Sequence, residues 1–222
     1  MYGWGRNGAS VLNLFGKDLL FRLIAVVVGI AVHEFGHAAA ALLVGDDTAR
    51  RQGRVTLNPL AHLDMIGLFL IFIVGFGWGR PVMVDPRKMR VNPRLGMILV
   101  ALAGPFMSAV VGAISALLLM STWGAHYNNP FWQTGGGNFI IMTLNWMAYI
   151  NIAMAVFNLL PIPPLDGWNV LANLLPLRTR VRLYKFERVG PFLLLLILLL
   201  PPGQFIVQTV IQAILGWFAP GF

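Results

Sequence analysis

The sequence has no cysteine among its 222 residues and only eight acidic residues. Without cysteine the chain can form neither a disulfide framework nor a thiolate zinc site, and nothing in it reports the redox compartment. Charged residues make up 11% and hydrophobic residues 58% of the sequence, whereas soluble domains are about a quarter charged. This composition excludes a disordered chain, a collagen-like fibre and a soluble globular domain, and it predicts a membrane protein.

The few acidic residues leave a formal net charge of +8. A basic chain can bind nucleic acid, but in an apolar chain Lys and Arg more often mark cytoplasmic loops. We therefore expect a lipid bilayer, and no nucleic acid, as the surroundings of this protein.

Long uncharged stretches predict the membrane spans. Residues 95–120 and 139–160 carry no charge, and each is long enough to cross about 30 Å of hydrocarbon as a helix. Residues 19–44 are also apolar, although ionisable side chains interrupt them. Residues 190–218 are broken by Pro201-Pro202-Gly203, so they form either one kinked span or two half-helices. The predicted fold is therefore an all-α, multi-pass membrane protein.

One apolar stretch, residues 63–78, is only 16 residues long and is better suited to a re-entrant segment than to a span. The Lys and Arg residues support this reading, since 13 of the 16 fall in residues 45–62, 79–94 and 161–189, whereas residues 121–138 hold none. The positive-inside rule places the three basic stretches in the cytoplasm and residues 121–138 outside. The first span then runs inward, and residues 63–78 enter and leave from the cytoplasm.

The first predicted span contains the sequence His33-Glu34-Phe35-Gly36-His37. Residues four apart on a helix share a face, so both imidazoles can bind one Zn²⁺, and the glutamate between them can take a proton from water at the metal. Polar residues tying helices together are the simpler alternative. Because ionisable groups inside a membrane span are energetically costly, their presence favours a functional role over a purely structural one. His33 lies roughly 16 Å from the cytoplasmic end of the span, so the site is expected in the cytoplasmic half of the bilayer.

Catalytic zinc usually has three protein ligands and one open position, so a third ligand is needed. Asp166 is the best candidate, because it follows the third span after three prolines that end the helix, and Gly167 allows a turn beside it. Asp166 could instead cap the next helix. The zinc motif in the first span favours the ligand role.

With these two motifs, the chain resembles the site-2 protease family of intramembrane zinc metalloproteases. The resemblance rests on the His-Glu-x-x-His motif at 33–37 and on Asn-x-x-Pro-x-Pro-x-x-Asp-Gly at 158–167. Gly45-Asp46, the Gly-Arg-Val-Thr-Leu-Asn-Pro stretch at 53–59 and Ala-Gly-Pro at 103–105 also match the family. The similarity covers about residues 20–170, followed by a C-terminal helical region at 171–222. We expect one membrane-embedded protease domain over 1–222, the minimal form of the family without a PDZ or nucleotide-sensing domain.

The resemblance implies His33, His37 and Asp166 as zinc ligands, Glu34 as general base and Asn158 as an electrophilic or substrate-contacting residue. It also implies a prokaryotic cell membrane and a membrane-protein substrate whose transmembrane helix unwinds locally before cleavage. One departure concerns the second core span, where many relatives have an asparagine a few residues after Gly-Pro. Ser108 is the nearest equivalent here, so no substrate contact is assigned at that place.

Short β-favouring runs at 55–57 and 81–84 flank the re-entrant segment, and we expect them to form strands that hold the unwound substrate by strand addition. His62 and Asp64 are expected to position this segment or to line a water path. A zinc transporter or a non-catalytic metal-binding membrane protein is the competing class, but a transporter would spread its ligands along a path. The substrate, the regulator and the oligomeric state cannot be read from the sequence.

Overall fold

The structure is a computed structural model that describes residues 18–74, 78–126 and 130–200, together with Phe205, Thr209 and Ala213. The described chain is mostly helical. Its helices are α1 (Leu19–Leu43), α2 (Thr48–Arg51), α3 (Met65–Val74), α4 (Pro93–His126), α5 (Gly135–Asn158), α6 (Asp166–Leu174) and α7 (Leu177–Leu199). Single 3₁₀ turns occur at Pro59–Ala61, Pro86–Lys88 and Pro130–Gln133.

Three helices are long and apolar enough to cross a membrane: Leu19–Leu43, Pro93–Thr122 and Gly135–Asn158. The shortest has 24 residues and is about 36 Å long at about 1.5 Å per residue. They match the three predicted core spans, so the prediction of an all-helical membrane protein is confirmed at this level.

Helices α1, α4 and α5 pack against one another pairwise, and α6 packs against α4. The packed face of α1 consists largely of small residues, among them Ala31, Ala38 and Ala41, which are buried. Small side chains let helix backbones approach closely, which is the usual basis of packing between helices in lipid. At Gly36 the approach is so close that a Cβ would lie 2.6 Å from the carbonyl oxygen of Ala103 in α4. This contact brings the motif face of α1 directly against α4.

The chain after α1 is held by a buried carboxylate. Gly45 ends α1 with φ +106°, and the N–H of Asp46 bonds back to the carbonyl of Ala41, a common way for a helix to end at glycine. The side chain of Asp46 is fully buried and accepts hydrogen bonds from the N–H groups of Thr48 and Asp85. Asp46 thereby fastens the loop before α4 to the end of α1.

Helix α3 lies in the segment 63–79, here called the excursion, whose two ends lie next to each other. Leu63 and Gly79 form an antiparallel β-bridge, and the N–H of Arg80 donates to the carbonyl of His62 at 2.6 Å. The ten residues of α3 extend only about 15 Å, less than the thickness of a bilayer. The geometry therefore agrees with the re-entrant segment predicted at 63–78.

The predicted strands at 55–57 and 81–84 are not confirmed, since the part of the chain that the structure describes contains this single bridge and no strand. Side chains take the backbone groups that a strand would use. His62 Nε2–H donates to the carbonyl of Thr56, and the N–H of Asp85 binds Asp46. Such local hydrogen bonds compete with pairing between strands.

Helix α7 continues through Pro191 as far as Leu199, so the chain remains helical where the last apolar stretch begins. The Pro201-Pro202-Gly203 break lies outside the described residues. Phe205, Thr209 and Ala213 are helical. The choice between one kinked span and two half-helices stays open.

Candidate metal centre

Helix α1 presents two imidazoles to α4. His33 and His37 lie one helical turn apart, their side chains are buried, and their Nε2 atoms are 3.1 Å from each other. The spacing that suggested a shared face in the sequence therefore brings both rings to one point.

Asp166 reaches the same point from the first turn of α6. Its Oδ2 atom lies 3.1 Å from His33 Nε2 and 3.2 Å from His37 Nε2. Leu165 and Trp168 beside it are buried, and Trp168 Nε1–H donates to Glu187 of α7, which fixes the start of α6. The three predicted ligand residues are thus brought together, and they form a group able to hold a metal ion.

The hydrogen bonds of the cluster show which atoms carry lone pairs. His37 Nδ1 lies 2.7 Å from the carbonyl oxygen of Val100, which can only accept, so Nδ1 carries the hydrogen and Nε2 carries a lone pair in the neutral ring. Asp166 Oδ2 is also buried, and a carboxylate oxygen carries lone pairs. Lone-pair atoms forced this close repel one another unless a cation lies among them. The donor set of two imidazoles and one carboxylate is one that catalytic zinc uses, and ligands of tetrahedral zinc lie about 3.3 Å apart. The residues present therefore fit zinc.

Gly104 of α4 leaves the room that an ion needs. A Cβ at this position would lie 2.3 Å from His37 Nε2 and 2.9 Å from His33 Nε2. Any side chain here would fill the space in front of both ligand atoms. The Ala-Gly-Pro match noted in the sequence thus has a steric role at the candidate site.

Glu34 lies beside the extended segment that follows the re-entrant excursion. A Cβ on Gly79 would lie 3.5 Å from Glu34 Oε1. Arg54 holds this segment in place, because its buried guanidinium donates to the carbonyls of Ala61 and Arg80. Glu34, the general base predicted from the sequence, therefore lies beside Gly79.

Asn158 is the predicted site residue with the least support. Its side-chain N–H donates to the carbonyl of Met154 in its own helix. Asn151 lies seven residues earlier on the same face of α5. It is fully buried, and its side-chain N–H donates to the carbonyl of Met147 in the same helix. Gly29 of α1 packs against Asn151, so Asn151 is a contact between helices. A substrate contact for Asn158 remains a prediction.

His62 and Asp64 position the excursion, as expected. Burial lowers the pKa of His62, which favours the neutral ring seen donating to Thr56. Asp64 caps α3 by accepting from the N–H groups of Ile66 and Gly67. Neither belongs to the group that could hold the metal.

Four residues at or near the site were not assigned these roles from the sequence. Asp46 and Arg54 clamp the loops, Gly104 makes room at the ligands, and Ser108 contacts His33. Only two features of the sequence could have indicated these roles. Each residue is either charged or small, and each lies in or near a stretch that is similar to a known family.

Comparison with known proteins places the chain in one family. Residues 21–201 match peptidase family M50. Relatives include YwhC of Bacillus subtilis, 36% identical over 195 residues that cover 87% of this chain and 86% of YwhC. Rip2 of Mycolicibacterium smegmatis is 29% identical over 80% of this chain and 65% of its own length, and Rip2 of Mycobacterium tuberculosis strain H37Rv is 30% identical over 79% and 65%. All three are named as candidate zinc metalloproteases. No solved structure matches the chain significantly.

The chain belongs to peptidase family M50, the site-2 protease family, as the sequence motifs indicated. It is a zinc metallopeptidase with membrane-spanning helices. The competing class of a zinc transporter or a non-catalytic metal-binding protein is not favoured.

Proposed function

We propose that this protein is an intramembrane zinc metalloendopeptidase that hydrolyses peptide bonds in or near the transmembrane segments of other membrane proteins. The observation that carries the proposal is the convergence of His33, His37 and Asp166 within 3.2 Å inside a bundle of helices long enough to span a bilayer. In this account the whole chain forms one membrane-embedded protease domain.

His33, His37 and Asp166 hold the zinc ion, and Glu34 acts as general base. Zinc bound there supplies Lewis-acid activation of water and polarisation of the scissile carbonyl. Glu34 takes the proton of the attacking water and later delivers it to the leaving amine. Glu34 follows His33 directly on α1, and it is not part of the group that could hold the metal.

Residues 79–84 are the proposed substrate edge. A helical substrate must unwind before attack, because its carbonyls are bonded within the helix, and an extended neighbour can replace those bonds. Gly79 already pairs with Leu63, and it lies close to the Glu34 carboxylate. An unwound substrate pairing there would be delivered to the base and the metal together. The short strands expected from the sequence would form fully only with substrate present.

The location of the site follows from the position of the ligands on α1. His37 lies six residues from the end of the helix at Leu43, about 9 Å. The basic residues after α1 place that end in the cytoplasm, so the centre lies in the cytoplasmic half of a prokaryotic cell membrane. Water reaches it through a protein-lined cavity, since irregular backbone at this depth is tolerated where it lines one.

The test combines zinc content with cleavage of a membrane-spanning peptide that carries helix-weakening residues. Purified wild-type protein should hold one zinc per chain and cut the peptide in liposomes. Asp166→Ala should lose most of the zinc and the cleavage, since it removes one of three ligands. Asp47→Ala is the matched control, because this carboxylate is exposed and pairs only with Arg51 and Lys88. Undiminished zinc in Asp166→Ala would remove Asp166 from the ligand set.

A further inference from the structure

Ser108 makes a contact that the proposed chemistry does not use. Its side chain is fully buried in α4, and its Oγ atom lies 3.1 Å from Nδ1 of His33, 75 residues away along the chain. Nδ1 is the ring nitrogen opposite the one that faces Asp166. Ser108 therefore touches a proposed ligand from behind.

Three residues of α4 meet the two imidazoles in a regular order. Val100, Gly104 and Ser108 follow one another at intervals of four, so they lie on one face of the helix. The carbonyl of Val100 binds His37 Nδ1, Gly104 packs against both Nε2 atoms, and Ser108 binds His33 Nδ1. Because α1 and α4 run in opposite directions, the order along α4 reverses that along α1. One face of α4 thus holds both rings.

The hydrogen position on His37 is fixed by its partner, since a carbonyl cannot donate. A hydroxyl can donate or accept, so the contact of His33 with Ser108 sets no tautomer by itself. When His33 Nε2 carries a lone pair toward the metal, its Nδ1 carries the hydrogen and the Ser108 oxygen accepts. Both rings then have the same tautomer, with Nδ1–H bonded and Nε2 free to bind metal.

We propose that Ser108 is a positioning residue of the zinc site, which orients His33 and holds it in the metal-binding tautomer. The proposal rests on the ligand set given above. The proposal also gives a role to the position at which many relatives have asparagine. Because Ser108 is fully buried against a proposed ligand, this position in the chain supports the metal and does not contact substrate.

Zinc affinity measured by competition with a chelator tests the proposal without relying on activity. Ser108→Ala should bind zinc about 10- to 100-fold more weakly than wild type, the usual loss when a partner behind a histidine ligand is removed. Ser115→Ala is the matched control, because this serine is also buried in α4 but bonds only to the carbonyl of Val111 in its own helix. Its zinc affinity should stay within about threefold of wild type.

The melting temperature of the zinc-free forms separates positioning from folding. Positioning predicts that zinc-free Ser108→Ala and Ser115→Ala unfold at similar temperatures, while added zinc raises the melting temperature less for Ser108→Ala. Equal zinc affinity in the two variants would overturn the proposal. If wild type itself bound no zinc, the ligand set would fail first, and the two failures are therefore distinguishable.

The isosteric pair Ser108→Thr and Ser108→Val decides the question if the alanine variant does not fold. Both add the same bulk, and only threonine keeps the hydroxyl. The Ser108→Thr variant should bind zinc about tenfold or more tightly than the Ser108→Val variant. Equal affinity of these two variants would mean that the hydroxyl has no positioning role.

Discussion

Three potential ligand atoms, His33 Nε2, His37 Nε2 and Asp166 Oδ2, lie within 3.2 Å of one another at a buried place. In a low dielectric such an arrangement is costly without a cation, and the backbone carbonyl of Val100 prevents His37 from relieving it by changing tautomer. At the scale of single residues, the three side chains therefore form a group that could hold a metal ion. Gly104 keeps the space for that ion clear.

We expect Gly104→Ala to abolish zinc binding. The added methyl group would lie against both Nε2 atoms and exclude the metal. Gly112→Ala is the control, because it inserts the same methyl group from α4 against Ile152 of α5, away from the ligands. Overpacking costs about 1 to 3 kcal/mol in either case, so both variants should be less stable. Only Gly104→Ala should have far less than one zinc per chain, and full zinc occupancy in it would contradict the geometry.

The sequence predicted the ligand residues to different degrees. His33, Glu34 and His37 follow from helical spacing alone, because neighbours at four residues share a face. Asp166 was the best candidate for the third ligand because it follows the third span after three prolines, but the sequence does not specify where the chain leads after such a turn. Ser108, Gly104 and Val100 could not be predicted, because their roles depend on how α1 and α4 cross, and no local pattern specifies that crossing.

At the scale of elements, side chains organise the loops around Glu34. Arg54 joins the carbonyls of Ala61 and Arg80, and Asp46 fastens the N–H of Asp85 to the end of α1. Both charged groups are buried. The segment beside Glu34 is therefore held from two sides, which explains why it keeps an extended path with only one β-bridge.

We expect Arg54→Gln to loosen the segment at 79–82. Loss of a hydrogen bond from a charged group costs about 1.5 to 3 kcal/mol, which corresponds to about 10- to 100-fold more frequent local opening. Hydrogen exchange of the Arg80 amide, which bonds to His62, reports this opening directly. Arg51→Gln should change it little, because Arg51 is exposed and pairs only with Asp47. Unchanged exchange in Arg54→Gln would show that the guanidinium does not hold the segment.

The elements themselves were largely predictable. Apolar stretches of sufficient length, two of them uncharged, predicted the three spans, since a lipid environment requires long apolar helices. The short strands were predicted from residue preference and were not confirmed, because a strand needs a partner and the backbone groups of Thr56 and Asp85 bind side chains instead.

The whole molecule has an orientation that charge alone predicts. The basic stretches follow α1, precede α4 and follow α5, whereas residues 121–138, from the end of α4 to the start of α5, carry no Lys or Arg. The closure of the excursion at Leu63 and Gly79 brings both of its ends to the same side, as this orientation requires. With this orientation, we expect the candidate zinc site in the cytoplasmic half of the membrane.

Cysteine labelling can test the orientation cleanly, because the native chain has no cysteine. A Ser121→Cys reporter should react with a membrane-impermeant thiol reagent added outside intact cells. A Gln52→Cys reporter, also at an exposed position, should react only after the cells are opened. Labelling of Ser121→Cys only from the cytoplasmic side would overturn the topology and the assigned depth of the site.

The central claim is that Glu34 performs proton transfer beside a zinc ion that it does not bind. Glu34→Gln keeps the shape of the side chain but removes its basicity, so zinc should stay at one per chain while cleavage falls by about 10² to 10⁴. The decisive measurement is the cleavage rate of a membrane-spanning peptide by wild type and Glu34→Gln at equal, verified zinc content. The account predicts intact zinc with almost no cleavage in the variant. Cleavage by Glu34→Gln at near the wild-type rate would contradict it.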